Sequence, residues 1–215
     1  QWSRAKLFLK KIRLKYDSVM SAFVIIFVAY LIGSIPFGLV GKFFFKIQDP
    51  RTFGSKNIGA TNILRSGNKK AAAFTLFFDM FKGFFAVFIA SYIETDLIYL
   101  AILAVVFGHI FPIYLLFKGG KGVATFLGAL LSYSTVVGGL TLLTWITVFY
   151  LTRKSSVAGI SAIVLSNFFL LIFYDNLPVN LSVLVLTTFI LFKHSENIKR
   201  LLKKEELSFE GRDKN

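Results

Sequence analysis

The sequence contains no cysteine, only four prolines and two histidines, and 11 acidic residues against 25 basic ones in 215 positions. The absence of cysteine excludes disulfide bonds and thiolate metal sites. The aspartates and glutamates are scattered, so the sequence predicts neither a carboxylate metal centre nor a bound cofactor. A formal net charge of +14 can indicate nucleic-acid binding, but the basic residues here stand between apolar runs. Anionic lipid headgroups or a phosphorylated substrate suit that distribution better, and we expect no nucleic-acid partner.

Apolar residues dominate the composition. They make up 55% of the chain, include 26 phenylalanines and give a mean hydropathy of +0.68. A soluble domain is about 45–50% apolar even when glycine is counted, which it is not here. No polar linker rich in proline or serine divides the chain, so the sequence predicts a single membrane domain.

The apolar runs predict an all-α integral membrane protein, a bundle of seven transmembrane helices. A helix that crosses a bilayer needs about 17–25 mainly apolar residues. The fourth and fifth spans come from one continuous apolar stretch, which we divide at Gly138-Gly139 because that pair offers a turn. The predicted spans are 19–43, 71–93, 97–117, 122–137, 138–152, 156–174 and 177–193.

The loops between these spans fall into two groups of opposite charge. The loops at 44–70, 118–121 and 153–155 lie on the same side as the C-terminus. With Lys42 and Lys82 at nearby helix ends, that side holds every Lys and Arg after residue 16. The positive-inside rule therefore predicts that the short glycine-rich loops and the C-terminus face the cytoplasm.

The N-terminal residues do not fit this arrangement. Residues 1–16 carry six Lys and Arg, yet a seven-span protein places them outside. The favoured interpretation is that the segment 1–18 is an extension foreign to the native structure, since Met20 precedes the first clean apolar run. The alternative is an amphipathic helix lying on the membrane surface. The predicted organisation is thus this extension, a seven-helix domain at 19–204 and a polar tail at 205–215.

The first candidate site is the segment GSKNIGATN at 54–62, which Arg65 follows. Its two glycines resemble the start of a nucleotide-binding P-loop, but Ala60 occupies the place of the required lysine. Glycines still permit a nest of backbone N–H donors, and an arginine can bind phosphate with two hydrogen bonds. The alternative is a turn with helix caps. The candidate substrate-binding residues are Gly54, Ser55, Asn57, Gly59, Thr61, Asn62 and Arg65.

The second candidate site is KGGKG at 118–122, which precedes an apolar helix. A glycine-rich turn that opens into a helix N-terminus binds anions through free N–H groups, and a lysine adds a mobile charge. The alternative is a tight interhelical turn with interfacial lysines. The candidate substrate-binding residues here are Gly119, Gly120, Lys121 and Gly122.

The third candidate site is KHSENIKRLL at 193–202, after the last predicted span. Helical spacing places His194 and Asn197 on one face, with Arg200 one turn further on. The alternative is that His194 is an interfacial residue without a chemical role.

Two charged residues lie within a predicted span. Asp79 and Lys82 stand three residues apart, and charges at such a position usually face the bundle interior and pair. We expect an ion pair that orients the helix, with a proton relay as the alternative.

Five segments taken in order carry a family resemblance. Together they resemble the bacterial acyl-phosphate:glycerol-3-phosphate acyltransferases of the PlsY type, from about residue 20 to residue 204. The resemblance implies a seven-helix bundle in the bacterial inner membrane with its active site facing the cytoplasm. It also implies transfer of a fatty acyl group from acyl phosphate to the sn-1 hydroxyl of glycerol 3-phosphate. The products are lysophosphatidic acid and phosphate, in the first step of phospholipid synthesis. The segments are GSIPFG at 33–38, GSKNIGATN at 54–62, FFDMFKG at 77–83, GHIFPIYLLFKGGKGVAT at 108–125 and KHSENIKRLL at 193–202.

The resemblance further implies roles for single residues. Lys121 and its neighbouring glycines correspond to the part that handles glycerol phosphate, and Glu196 to a structural acid. Gly159 stands where a family hydroxyl residue is expected, so a catalytic role for that position is in doubt, although Ser156 is nearby. The implied partners are both substrates, the lipid bilayer and the soluble enzyme that makes acyl phosphate. The implied catalytic residues are Ser55, Arg65, His194 and Asn197.

Other functions fit the sequence less well. Glycerol-phosphate acyltransferases that use acyl-CoA rely on a His followed four residues later by Asp, and neither His109 nor His194 has an Asp in the next five positions. CDP-alcohol phosphotransferases need clustered aspartates, which are lacking. A small transporter for phosphorylated solutes is the alternative function, although such proteins often contain internal repeats and none is visible.

Overall fold

The structure, a computed structural model, describes residues 2–207, with side chains from residue 16 onward. Within that range all regular secondary structure is helical, and there is no strand. Single 3-10 turns lie at Thr95–Leu97 and Ile113–Leu115. The α-helices are α1 (Trp2–Ser34), α2 (Phe37–Phe45), α3 (Ala60–Leu64), α4 (Lys69–Ile93), α5 (Ile98–Ile110), α6 (Val123–Tyr133), α7 (Thr135–Thr152), α8 (Ser155–Phe173), α9 (Leu177–Lys193) and α10 (Ser195–Leu202).

Five helical segments of the described chain are long and apolar enough to cross a bilayer, and the bent pair α9–α10 makes a sixth if it is taken as one span. The 11-residue helix α6 is apolar but short. The expected all-α membrane architecture is therefore confirmed, whereas the count of seven spans stays a prediction. The five segments are Tyr16–Phe45, Lys69–Ile93, Thr95–Leu115, Thr135–Thr152 and Ser155–Phe173.

Phenylalanine is abundant because many of these side chains face outward. On α4, Phe77, Phe81 and Phe85 form an exposed ladder of stacked rings. A soluble protein rarely exposes so continuous an apolar surface, whereas the hydrocarbon of a bilayer accommodates it. The apolar outer surface thus explains the high phenylalanine content of the sequence.

The turn between the predicted fourth and fifth spans lies at a different position from the expected one. α6 and α7 meet at Ser134, so Gly138 and Gly139 both lie inside α7. The Ser134 hydroxyl caps α7 by accepting a hydrogen bond from the Val137 N–H at 3.2 Å. Gly138 instead permits close packing, because a Cβ there would lie 2.5 Å from the backbone of Leu131. The predicted position of this turn is therefore wrong.

The first predicted span is also interrupted. α1 ends at Ser34, and α2 begins after Pro36, whose nitrogen cannot donate a backbone hydrogen bond. The carbonyl of Ile35 at this break accepts a hydrogen bond from Lys82 Nζ at 2.7 Å. A lysine of α4 thus satisfies a backbone group that the broken helix leaves free.

The two predicted terminal segments are described only in part. Residues 2–18 continue α1 as one helix, and both interpretations of the basic extension stay predictions. Of the predicted tail at 205–215, residues 205–207 are described and 208–215 lie outside the described range.

Helices α4 and α6 form a closely packed pair at the centre of the bundle. A Cβ on Gly83 of α4 would lie 2.0 Å from the carbonyl oxygen of Thr125 on α6, so only glycine permits this approach. The N-terminus of α6, where the second candidate loop ends, is thereby fixed against the part of α4 that carries Asp79 and Lys82.

Candidate active site

The three candidate loops, far apart in sequence, meet at one end of the bundle around a cavity of about 280 Å³. A second cavity of about 210 Å³ shares part of its wall and includes Gly119. Gly54 and Gly120 line neither cavity. The predicted residues that line the larger cavity are Ser55, Asn57, Gly59, Thr61, Asn62, Arg65, Lys121, Gly122, His194 and Asn197.

Asn62 holds the first loop in shape. Its side chain is buried, and its Oδ1 accepts a hydrogen bond from the Ser55 N–H at 2.8 Å. Its Nδ2 donates to the carbonyls of Pro50 at 2.7 Å and Asn57 at 2.9 Å. Gly54 has a φ of +55°, and a Cβ there would lie 2.4 Å from Asn62 Oδ1. These contacts give Asn62 and Gly54 a loop-shaping role, whereas Ser55 and Asn57 remain at the cavity wall.

Arg65 is the first cation of the cavity. Its Nε is buried without a hydrogen-bond partner among the described atoms, and its Nη2 makes a long 3.4 Å contact with the Leu207 carbonyl. Burial lowers the pKa of Arg65, and the nearby Glu206 carboxylate opposes that effect. Since an arginine pKa lies ordinarily above about 12, the guanidinium stays charged. Arg65 therefore offers the cavity a cation with unused donors.

Lys121 is the second cation. Its Nζ donates a hydrogen bond to Asn197 Oδ1. Burial lowers the pKa of Lys121 to about 8, because the effect of burial exceeds the opposing attraction of Glu206. Most of the lysine is still protonated at neutral pH, but its charge is held in an unfavourable environment.

Glycine is needed beside Lys121 because the loop closes over an imidazole. The Gly120 N–H donates to the His109 carbonyl at 3.1 Å, and a Cβ on Gly120 would lie 2.2 Å from His109 Nε2. Gly122 then adopts a φ of +91° and begins α6. Gly122 and Val123, at this helix start, line the cavity, and the first N–H groups of a helix have no partner within the helix.

His194 and Asn197 lie where α9 and α10 meet at a bend of 57°. Nδ1 of His194 lies 2.8 Å from the Ile190 carbonyl, which can only accept, so Nδ1 carries the proton. Nε2 is then left as an acceptor. Asn197 accepts from Lys121 and donates from its Nδ2 to Glu206 Oε1 at 2.6 Å. Both side chains are buried, and both line the cavity as predicted.

Glu206 is the site residue that sequence reasoning missed. Its carboxylate accepts hydrogen bonds from Asn197 at 2.6 Å and from Arg200 Nε at 2.8 Å, and it is 8% exposed. Burial raises the pKa of Glu206, but the hydrogen bonds from Asn197 and Arg200 outweigh it, so the pKa lies below its ordinary value. The only signal in the sequence is an acid among basic residues directly after α10. By contrast, Glu196 lies on the surface and pairs with exposed Lys199 at 3.1 Å.

The expected intramembrane ion pair is present. Lys82 Nζ lies 2.8 Å from Asp79 Oδ1, and both side chains are buried. His109 of α5 brings its Nδ1 to 3.5 Å from the same oxygen. Asp79 and His109 also line the larger cavity, which the sequence did not indicate.

The two adjoining cavities differ in the side chains that line them. The smaller one is cationic, with Lys56, Lys193 and Arg200 around Lys121 and with Glu196 as its only acid among the described residues. The larger one continues between helices α4, α6 and α7 along apolar side chains. These are Leu76, Met80, Val123, Leu127, Leu142, Trp145 and Ile146.

Gly159 has no side chain and therefore brings no hydroxyl to the site. A Cβ at Gly159 would lie 3.8 Å from His194 Nε2, so the position adjoins the imidazole. Ser156, one turn earlier in α8, lines the cavity.

Comparison with known proteins identifies the family. A family model described as glycerol-3-phosphate acyltransferase matches residues 23–204. The chain belongs to the glycerol-3-phosphate acyltransferase family. The glycerol-3-phosphate acyltransferase of Methylobacillus flagellatus is 43% identical over 192 residues, covering 88% of this chain and 98% of that protein. The one from Nitrosomonas eutropha is 42% identical over 193 residues, covering 87% and 96%.

A solved structure agrees with this family. The crystal structure of PlsY, an integral membrane glycerol 3-phosphate acyltransferase in its glycerol 3-phosphate form, has a TM-score of 0.82 at 38% identity. It covers 87% of this chain and 95% of PlsY. The lysophosphatidic acid form gives a TM-score of 0.80 at 37% identity. The family resemblance and the multi-pass membrane character are thereby confirmed, and the acyltransferase replaces the transporter as the function to consider.

Proposed function

We propose that the protein transfers a fatty acyl group from acyl phosphate to the sn-1 hydroxyl of glycerol 3-phosphate, giving lysophosphatidic acid and phosphate. The observation that carries this proposal is a pair of adjoining cavities that share Lys121 and Asn197, of which the smaller is cationic and the larger has apolar walls. Family membership supports the acyltransferase activity and glycerol 3-phosphate as acceptor. A donor that carries its own phosphate suits the same set of cations.

The apolar end fits the acyl chain of a donor that comes from the membrane. Leu76 and Met80 of α4 form one wall, and Trp145 and Ile146 of α7 form another, with α6 between them. Because α6 has only 11 residues, it covers less of the bundle's height than its neighbours, which are 25 and 18 residues long. The acyl chain would lie between α4 and α7 with its carbonyl toward Lys121.

The chemistry needs little from the protein beyond position and charge. Acyl phosphate is a mixed anhydride, so its leaving group is good. The acceptor oxygen forms a bond to the acyl carbon, and the bond from that carbon to the phosphate oxygen breaks. Burial lowers the pKa of His194 to about 4, so its Nε2 stays unprotonated and accepts a hydrogen bond from the hydroxyl, while the departing phosphate takes the proton. The imidazole is thus neutral before and after the transfer.

The cations stabilise the charge that moves during this reaction. Arg65 has free donors for two phosphate oxygens, whereas Lys121 acts as a point charge beside the helix start of α6. Charge stabilisation by groups already in place requires no reorganisation, and holding two reactants together removes much of the entropic barrier.

The donor is tested by incubating purified protein with palmitoyl phosphate and glycerol 3-phosphate in the presence of EDTA. We expect one lysophosphatidic acid and one phosphate for each acyl phosphate consumed. Palmitoyl-CoA in place of palmitoyl phosphate is the matched control and should give no product. Full activity with palmitoyl-CoA alone, or loss of activity in EDTA, would contradict the proposal.

We also infer that the protein lies in the bacterial inner membrane with both cavities facing the cytoplasm, where the soluble enzyme that makes acyl phosphate is a partner. This rests on the basic residues after residue 16, which all belong to one set of loops and helix ends except Lys82, which pairs with Asp79 inside the bundle. Single cysteines at Thr95 and Glu205 test it, since both positions are exposed. An impermeant thiol reagent should label intact cells at position 95 and not at 205. The opposite pattern would reverse the orientation.

A further inference from the structure

The last described helix, α10, has two sides of different character. Asn197 on its inner side is 5% exposed and belongs to the candidate site. Ile198 and Leu202, by contrast, are 36% and 82% exposed. Because these two residues are four positions apart, they are neighbours on the helix surface. α10 therefore carries an exposed apolar strip, formed by Ile198 and Leu202, that lies away from the site.

Lysines border this apolar strip. Lys199 and Lys203 are exposed, and each directly follows a residue of the strip. Because an α-helix turns by about 100° per residue, both lysines lie along the same edge of the strip. Lys199 pairs with Glu196 in solvent, where an ion pair contributes little, and Lys203 and Lys204 form no ion pair with a described residue. These lysines are available for an anionic surface.

The length of α9 places α10 at the membrane surface. The 17 residues of α9 rise about 25 Å, whereas the hydrocarbon core of a bilayer is about 30 Å thick. α9 thus nearly crosses the hydrocarbon, and α10 follows it after a bend of 57°. α9 ends with Phe192, which is 72% exposed, and then Lys193. A lysine directly after a lipid-facing aromatic residue is typical of the membrane interface.

An apolar strip with lysines along its edge is the pattern of helices that lie in the membrane interface. Their apolar side chains enter the acyl chains, and their lysines contact anionic headgroups. α10 has only eight residues, but α9 already holds it at the surface, so docking is an intramolecular step. We propose that α10 docks on anionic lipid headgroups, with the apolar strip among the acyl chains and Lys199, Lys203 and Lys204 on the lipid phosphates.

Docking would hold α10 from both sides. On the inner side, Asn197 donates to Glu206 at 2.6 Å and accepts from Lys121, and Arg200 donates to Glu206 at 2.8 Å. The lipid surface on the outer side thus helps to keep Asn197 in position. This inference goes beyond the proposed function and does not depend on it, because docking is measured without the reaction.

The test exploits the absence of native cysteine, which allows one introduced cysteine to carry a fluorescent label. The full-length chain with Leu202→Cys is labelled and placed in nanodiscs of phosphatidylcholine, alone or mixed with phosphatidylglycerol. Quenching by a nitroxide on the lipid acyl chain reports entry into the bilayer, and quenching by acrylamide reports exposure to water. Glu196→Cys is the matched control, because Glu196 is exposed on the same helix about 120° away from Leu202.

We expect the label at position 202 in the anionic nanodiscs to be quenched by the lipid nitroxide and protected from acrylamide severalfold, relative to the label at position 196. Protection should be weaker in phosphatidylcholine alone. Each lysine near an anionic surface favours contact about fivefold, so the exposed pair of substitutions Lys203→Gln and Lys204→Gln should weaken docking about 25-fold and abolish most of this dependence on lipid.

A label at position 202 that stays accessible to acrylamide in both nanodiscs would overturn the inference, and this is the result expected if the strip binds a soluble protein instead. Equal quenching by the nitroxide in the two lipid compositions would also overturn it, because the anionic headgroups would then have no role. The same conclusion follows if the dependence on lipid is undiminished after both lysines are replaced.

Discussion

Replacing Lys121 by arginine should change the pH dependence of the reaction in a direction that the structure fixes. Burial lowers the pKa of Lys121 to about 8 in the unliganded site. The charged form binds phosphate, so activity should be retained below that pH and lost as the pH rises through it. The pH profile of kcat/KM reports the ionisation of the free enzyme and is therefore the relevant measurement.

The expected size of the effect follows from the same pKa. At pH 9.5, about 1.5 pH units above that value, only about 3% of Lys121 keeps its proton, so kcat/KM for glycerol 3-phosphate should fall about 30-fold from its plateau. Ionisation of the substrate phosphate does not contribute to this decrease in kcat/KM, because its second ionisation near pH 6 is complete at lower pH. Arginine stays charged throughout this range, so Lys121→Arg should give a flat profile up to pH 9.5.

Lys118→Arg is the matched control, since Lys118 lies in the same loop, is exposed and lines neither cavity. It should reproduce the wild-type profile. Initial rates between pH 6.5 and 9.5 with both substrates below their KM are sufficient, because they report the free enzyme. A wild-type profile that stays flat to pH 9.5 would show that the ionisation of Lys121 does not control the reaction. A fall that persists in Lys121→Arg would show that another group titrates.

Further substitutions test the remaining contacts. Arg65→Lys should lower kcat/KM about 10- to 150-fold, because a charge-assisted contact with two oxygens is worth about 1.5–3 kcal/mol. Arg51→Lys on the surface is the control and should have little effect. Near wild-type activity of Arg65→Ala would show that Arg65 does not bind phosphate. Glu206→Gln keeps the shape but removes the charge that holds Arg200, so we expect a fall in kcat/KM of about tenfold and a lower Tm. Glu196→Gln, which breaks only an exposed pair, should match wild type in both measurements, and equal effects of the two variants would refute the distinction.

The sequence predicted those features of the fold that depend on the bilayer and on charge, namely the long apolar helices and the side on which the basic loops lie. A bilayer demands long apolar helices, so the spans at α4, α8 and α9 agree with the expected ones closely. The convergence of three loops was predictable because their lysines and arginines belong on the same membrane side. The turn at Ser134 was not, since a serine cap and a packed glycine inside α7 produce the same local sequence signal as a glycine turn.

The role of each site residue was less predictable from the sequence than its presence in the site. Asn57 and Asn62 are equivalent in the sequence, both amides in a glycine-rich loop. Only the three-dimensional contacts show that the Asn62 side chain hydrogen-bonds to the backbone of Ser55 and Pro50. Glu206 was hidden for the same reason, because its significance depends on a chain reversal after α10 that brings it back to Asn197. Hydropathy carries no information about such a reversal.

The charges at the site explain why so few acids are present there. Glu206 neutralises Arg200 and orients Asn197. The two acids that line the cavities are each paired with another lysine, Asp79 with Lys82 and Glu196 with Lys199. The fall of the Lys121 pKa to about 8 corresponds to about 3 kcal/mol of unfavourable environment for its charged form. A bound phosphate restores a favourable environment, so this free energy becomes available for binding when the substrate arrives. A second carboxylate beside Lys121 would stabilise the empty protein and would weaken phosphate binding by a comparable amount.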